Sequence, residues 1–110
     1  MQTFQIDTLL VESNNRAAAW MEFLRVSSMS MGLYSLKAGQ ADLQTPHSED
    51  EAYYVLAGKA SFQFGQQRQE VRPGTLLFVE RGIEHRFVDV SEDLTVLVFF
   101  APAEGSERKD

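Results

Sequence analysis

The chain has 110 residues and a mass of 12.4 kDa, which is the size of one compact domain rather than two. Hydrophobic residues make up 44% and charged residues 24%, which excludes a disordered chain. The net charge of -6 comes without a basic stripe, which argues against a nucleic-acid partner, and the absence of cysteine excludes disulfides and thiolate chemistry.

The N-terminal region shows no sign of a signal peptide. It carries no positive charge before Arg16 and no apolar core. The longest nearly uninterrupted apolar stretch, Leu94–Ala103, is far too short to cross a bilayer. We therefore expect a cytoplasmic protein with no membrane partner.

Most of the chain alternates with a period of two. The apolar residues of Arg16–Leu24 fit helical spacing. Trp20–Val26 also fits an extended segment, and we favour a strand there. Met29–Leu36 is a second predicted strand. Alternation then predicts a half-buried strand over Ala60–Phe64 and a fully buried strand, apolar on both faces, over Leu94–Phe100.

Turn signals separate these strands. They fall at Ala38-Gly39, Gly58-Lys59, Gly65-Gln66, Pro73-Gly74 and Arg81-Gly82. Short strands between regular glycine turns are typical of an all-β sandwich or small barrel. We expect one domain over residues 1–103, followed by a charged, mobile tail over residues 104–110.

The two histidines, His47 and His85, each lie where a loop meets a predicted strand. Imidazole nitrogens and a carboxylate oxygen suit borderline divalent metals, and two histidines with one carboxylate leave positions open for substrate or oxygen. Glu51 completes this trio. The alternative is a surface or capping role for each histidine and a solvated position for the glutamate.

The three residues belong to two longer patterns of residues at fixed spacing. The patterns consist of Gly39, Thr45, His47, Glu51 and Gly58, and of Gly74, Glu80, Gly82, His85 and Asp89. In spacing, these patterns resemble the two motifs of the cupin superfamily, and the resemblance covers Trp20–Ala103. It implies a cupin-type double-stranded β-helix, which is a jelly-roll barrel of two antiparallel sheets with a metal near one mouth.

The resemblance implies the same metal ligands in this chain as in the family, except at one position. It matches His47, Glu51 and His85 to family ligands, whereas Thr45 stands where the family has its first histidine. Either three protein ligands suffice, or the Gln44 amide oxygen adds a fourth, or the metal is weakly held or absent. The implied cofactor is one divalent ion, Fe, Mn, Ni or Zn.

A buried Glu51 carboxylate needs a cation nearby, because an unpaired buried charge costs on the order of several kcal/mol. The alternative to a metal is a histidine that carries the positive charge itself. Alternation places Tyr53 on the face of Glu51, and Phe87 on the face of His85. We expect both rings to wall the pocket beside Thr45, with core packing as the alternative.

Two classes of function fit this site. The first is a metal-dependent enzyme acting on a small organic molecule, with dioxygenase chemistry ahead of isomerase, lyase or decarboxylase chemistry, which the resemblance also allows. The second is a non-catalytic module that binds a sugar or a small carboxylic acid. A dimer without a ligand is a third hypothesis. The two-sided apolar strands Leu94–Phe100 and Val26–Leu36 predict a homodimer.

Overall fold

The computed structural model describes residues 1–107, which form one helix and six strands. These are α1 (Ile6–Asn14), β1 (Trp20–Val26), β2 (Met29–Leu36), β3 (Asp50–Phe64), β4 (Gln67–Val71), β5 (Leu76–Val79) and β6 (His85–Ala101). All strand pairs are antiparallel, in the order β1-β2-β6-β3-β4, with β5 also paired to β3. The all-β prediction is confirmed, as are the strands Trp20–Val26 and Met29–Leu36.

Strands β3 and β6 are long, with 15 and 17 residues, and they pair along most of their length. Their register shifts between Val55 and Ser61, where the pair bends from one layer of the barrel to the other. Gly58 lies in this bend with φ +94°, and a Cβ there would meet the Asp93 carbonyl oxygen at 2.3 Å. The turn predicted at Gly58-Lys59 is therefore wrong, because the glycine bends one continuous strand.

The bend folds both layers around one core. Its buried members come from both halves of β3 and β6 and from the strands beside them, namely Leu36, Tyr53, Val55, Ala60, Phe62, Val71, Val79, Phe87, Val90, Leu94, Val96, Val98 and Phe100. Along Leu94–Phe100 the inward residues are buried, while Leu97 and Phe99 on the other face are half-buried. Full burial of both faces was predicted, and the structure corrects it.

The helix α1 covers part of the outer face of the sheet. Leu9 packs against Met21 and Leu33 there, and half-buried Leu97 borders the same cluster. Sequence reasoning missed this helix, which has nine residues and no side-chain hydrogen bond at its N-cap. It is not long or apolar enough to span a membrane, and no other helix occurs in residues 1–107.

The segment after β6 lies against the barrel. Ala103 is buried, and the N–H groups of Gly105 and Glu107 donate to the carboxylate of Glu49. Residues 108–110 of the predicted tail lie outside the described part of the chain. The division into a domain over 1–103 and a mobile tail over 104–110 stays a prediction.

Candidate metal centre

The structure brings His47, Glu51 and His85 together inside the barrel. One ligand atom from each lies within 4.8 Å of the others. Glu51 pairs with Phe100 at one end of the β3–β6 ladder, whereas His85 pairs with Phe64 at the other end. The two side chains meet because the ladder bends over the core between them, while His47 comes from the loop before β3.

Both ring nitrogens of His85 have close partners. Nδ1 lies 2.8 Å from the Ile83 carbonyl oxygen, to which it donates, while Nε2 lies 3.0 Å from Glu51 Oε1 and 3.1 Å from the Tyr53 hydroxyl. Burial lowers the pKa of His85, but the protonated ring can donate to both Glu51 and Ile83, and these hydrogen bonds together with the charges of Glu51 and Asp42 outweigh the effect of burial. The pKa of His85 is therefore raised above 6.5.

The Oε1 atom of Glu51 is a buried oxygen to which no described group directs a hydrogen bond. It faces His85 Nε2, but the proton of a neutral His85 ring is on Nδ1, because the Ile83 carbonyl only accepts. The Nε2 lone pair and Glu51 Oε1 then face each other as two acceptors. Either a second proton on His85 or a metal cation resolves this conflict, so the donor set fits a divalent metal.

His47 lies near the mouth of the site and is partly exposed. Its Nδ1 is 3.5 Å from Glu104 Oε2, and its ring packs edge-to-face on Phe100 with centroids 4.8 Å apart. Burial raises the pKa of Glu104, while the nearby His47 partly offsets that rise. Sequence reasoning placed Glu104 in a mobile tail and missed this contact, for which no local sequence pattern gives a signal.

A second buried carboxylate, Asp42, holds the loop that leads to His47. It accepts hydrogen bonds from the Tyr34 hydroxyl at 2.6 Å, the Gln44 side-chain amide at 2.6 Å and the Phe87 backbone N–H at 2.8 Å. Sequence reasoning missed Asp42 as well. Because the Gln44 Nε2 is used by Asp42, its Oε1 faces the site and accepts from the Tyr53 hydroxyl at 3.1 Å.

Tyr53 connects Gln44 to His85 through its hydroxyl group. Burial, reinforced by the charge of Glu51, raises the pKa of Tyr53 well above 10. The hydroxyl therefore keeps its proton at neutral pH. The Tyr53 hydroxyl is therefore a neutral hydrogen-bond donor beside the two acceptors of the site, His85 Nε2 and Glu51 Oε1.

A cavity of about 200 Å³ opens onto these groups. It is lined by Trp20, Tyr34, Gln44, His47, Glu51, Tyr53, Val98, Phe100 and Glu104. Among the described residues that line it, two are carboxylates and none is lysine or arginine. A dication would balance both carboxylates, which agrees with the fit of the three ligand atoms.

The predicted pocket residues differ in their placement. Tyr53 lines the cavity, as expected. Thr45 does not line it; Thr45 is exposed and lines a neighbouring surface pocket beside His47 and Glu104. Phe87 does not line it either, since its ring packs behind Tyr53 in the core, with centroids 5.2 Å apart. Of the two residues considered for the missing histidine position, Gln44 faces the site and Thr45 does not.

Comparison with known sequences identifies related proteins. The model of the cupin domain family matches residues 32–100 of the chain. The uncharacterized protein SCO3923 of Streptomyces coelicolor is 42% identical over 104 residues, which cover 94% of this chain and 99% of that protein.

Two solved structures share the fold. The protein TT1209 from Thermus thermophilus has a TM-score of 0.74 at 22% identity, with 94% of this chain and 99% of TT1209 covered. The DMSP lyase DddQ from Ruegeria pomeroyi has a TM-score of 0.65 at 25% identity. The match covers 69% of this chain and 39% of the lyase, so the chain spans well under half of that enzyme.

Proposed function

Because the chain belongs to the cupin domain family, we propose that it is a metal-dependent enzyme acting on a small organic molecule, with His47, Glu51 and His85 as metal ligands. The observation that carries the proposal is the unpaired Glu51 Oε1 facing His85 Nε2 across 3.0 Å in a buried site. Such a contact calls for a positive charge, which either a second proton on His85 or a metal ion supplies, and the cavity beside it offers room for a small molecule.

The arrangement favours oxygenase chemistry. Two imidazoles and one carboxylate would hold an iron(II) ion, which would supply binding positions for molecular oxygen and for a substrate oxygen atom. Trp20 and Phe100 line the cavity, where they would hold the apolar part of a substrate and exclude water. The protonated Tyr53 hydroxyl would donate to a substrate oxygen in place of Gln44.

Oxygen uptake tests the oxygenase proposal. The protein, purified without a metal-affinity column and loaded with iron(II), should consume oxygen in the presence of a catechol or a β-diketone. The His85→Ala variant should lose this uptake, while Glu84→Gln, which changes an exposed side chain on the preceding loop, should retain it. Stoichiometric iron without oxygen uptake across both substrate classes would exclude the oxygenase.

A non-catalytic binding module is the second candidate, and one observation favours it. The residue at the family's first histidine position, Thr45, is exposed outside the cavity, so the site has one imidazole fewer than the family pattern. A binder of a sugar or small carboxylic acid would hold its ligand at equilibrium and release it unchanged. Calorimetry followed by mass analysis of the recovered ligand distinguishes this module from an enzyme.

Metal affinity should fall as the pH is lowered through the pKa of His85. Because that pKa is raised above 6.5, the ligating nitrogen must lose a proton that Glu51 helps to retain. The apparent affinity should drop at least about tenfold per pH unit below that pKa, and the drop should begin at a higher pH than for an unperturbed imidazole. Calorimetric titration with zinc between pH 5 and pH 8 measures this dependence. Equal affinity at both ends of the range would contradict histidine ligation.

We also infer a homodimer from the outer face of the sheet. The helix α1 covers one part of this face, whereas Leu76 and Phe78 on β5 remain 74% and 67% exposed. A second copy that packs on them would remove two large apolar side chains from water. Sedimentation should give about twice the chain mass of 12.4 kDa, and Phe78→Ser should shift the mass toward one chain. A single-chain mass for the unmodified protein at micromolar concentration would exclude the dimer.

A further inference from the structure

We propose that Glu104, which follows the last strand, is a positioning residue that holds His47 in the tautomer that binds metal. This inference rests on the proposed metal site. Its basis is the placement of Glu104 in the cavity wall, with Oε2 3.5 Å from His47 Nδ1. The segment after the last strand therefore contributes a side chain that positions a metal ligand.

The backbone around Glu104 is fastened to the barrel at several points. The Glu104 N–H donates to Ser30 Oγ at 2.9 Å, and its carbonyl oxygen accepts from Arg25 at 2.9 Å. Glu49, which is 1% exposed, accepts from the N–H groups of Gly105 and Glu107 at 2.8 and 3.0 Å. These two hydrogen bonds to the buried Glu49 carboxylate hold the backbone of the segment in place. They thereby fix the position from which the Glu104 side chain reaches His47.

The contact decides which ring nitrogen of His47 is free. A carboxylate accepts a hydrogen bond from Nδ1–H, and a neutral imidazole with its proton on Nδ1 presents the Nε2 lone pair to a metal. His85 has the corresponding partner in the Ile83 carbonyl, 2.8 Å from its Nδ1. Both histidines therefore have an oxygen atom beside Nδ1, the Ile83 carbonyl oxygen at 2.8 Å from His85 and the Glu104 carboxylate at 3.5 Å from His47.

The test uses zinc and the nitrogen-15 spectrum of the histidine rings, which is simple to assign because the chain has 2 histidines. In the unmodified protein with zinc, both rings should show a protonated Nδ1 and a metal-bound Nε2. In Glu104→Ala, His47 should lose this single tautomer while His85 keeps it, and the zinc affinity should fall about 10-fold to 100-fold. Glu104→Gln keeps an acceptor oxygen and should restore the tautomer and most of the affinity.

Glu107→Ala is the matched control, because it removes an exposed carboxylate from the same segment and leaves the backbone bond to Glu49 in place. An unchanged His47 tautomer in Glu104→Ala would overturn the proposal. If the zinc affinity still fell, Glu104 would instead be a direct ligand. If zinc shifted neither ring in the unmodified protein, the metal site itself would be excluded, which is a different result from the failure of Glu104 alone.

Discussion

Replacing Glu51 with glutamine is expected to lower zinc affinity by more than about 100-fold, because it removes a ligand, and outer partners of ligands already contribute 10-fold to 100-fold. The amide keeps the shape of the side chain but loses the negative charge. Zinc content after dialysis should fall from one ion per chain to a small fraction. Glu84→Gln, which changes an exposed side chain, should keep full zinc content.

The same variant separates a metal site from a metal-free ion pair between His85 and Glu51. With metal, zinc at 100 times the Kd of the unmodified protein should stabilise that protein by about 2.7 kcal/mol and Glu51→Gln by less than about 0.4 kcal/mol. In a metal-free pair, zinc would leave the thermal stability of both proteins unchanged. Thermal unfolding with and without zinc therefore decides between them, and unaltered zinc binding by Glu51→Gln would contradict the proposed ligand set.

Replacing Asp42 with alanine is expected to cost about 3 kcal/mol of unfolding free energy, because several buried donors lose their acceptor together. Asp42 is 4% exposed and accepts from the Tyr34 hydroxyl, the Gln44 amide and the Phe87 backbone N–H. An isolated surface hydrogen bond contributes far less, so the burial of these partners sets the size of the effect.

Urea unfolding followed by circular dichroism measures this loss. The matched control is Asp93→Ala, since Asp93 accepts from the Ala38 N–H and pairs with Lys37 while its side chain is 65% exposed. This control should lose less than about 1 kcal/mol. Asp42→Asn should fall between the two, because an amide presents one acceptor oxygen to donors that now use both carboxylate oxygens. Equal losses for Asp42→Ala and Asp93→Ala would show that the buried network adds no stability.

Local patterns in the sequence were sufficient to predict much of the barrel. Alternation identified the strand Met29–Leu36 with its observed bounds and favoured a strand over a helix for Trp20–Val26. It could not show that Tyr53 and Phe62 lie in one strand, because Gly58 reads as a turn when the approach of Asp93 is unknown. The short helix α1 was missed because its stability comes from packing on the sheet.

The part of the candidate site that lies in the two spaced motifs could be predicted from the sequence. The spacing selected His47, Glu51 and His85, whose ligand atoms the structure brings together, while their role as metal ligands stays a proposal. Asp42 and Glu104 were not predictable, because they reach the site through hydrogen bonds and contacts between residues far apart in sequence. A loop aspartate and a tail glutamate look like solvated surface residues until the fold shows what surrounds them.

The bent ladder of β3 and β6 couples the site to the cooperativity of the whole molecule. Glu51 and His85 lie at opposite ends of that ladder, so neither half of it contains a complete pair. In a partly unfolded chain, in which one layer of the barrel has separated from the other, Glu51 and His85 are apart and no binding site exists. An ion bound there would therefore suppress global opening, and the slowing of amide hydrogen exchange would extend along both long strands rather than staying near the ligands.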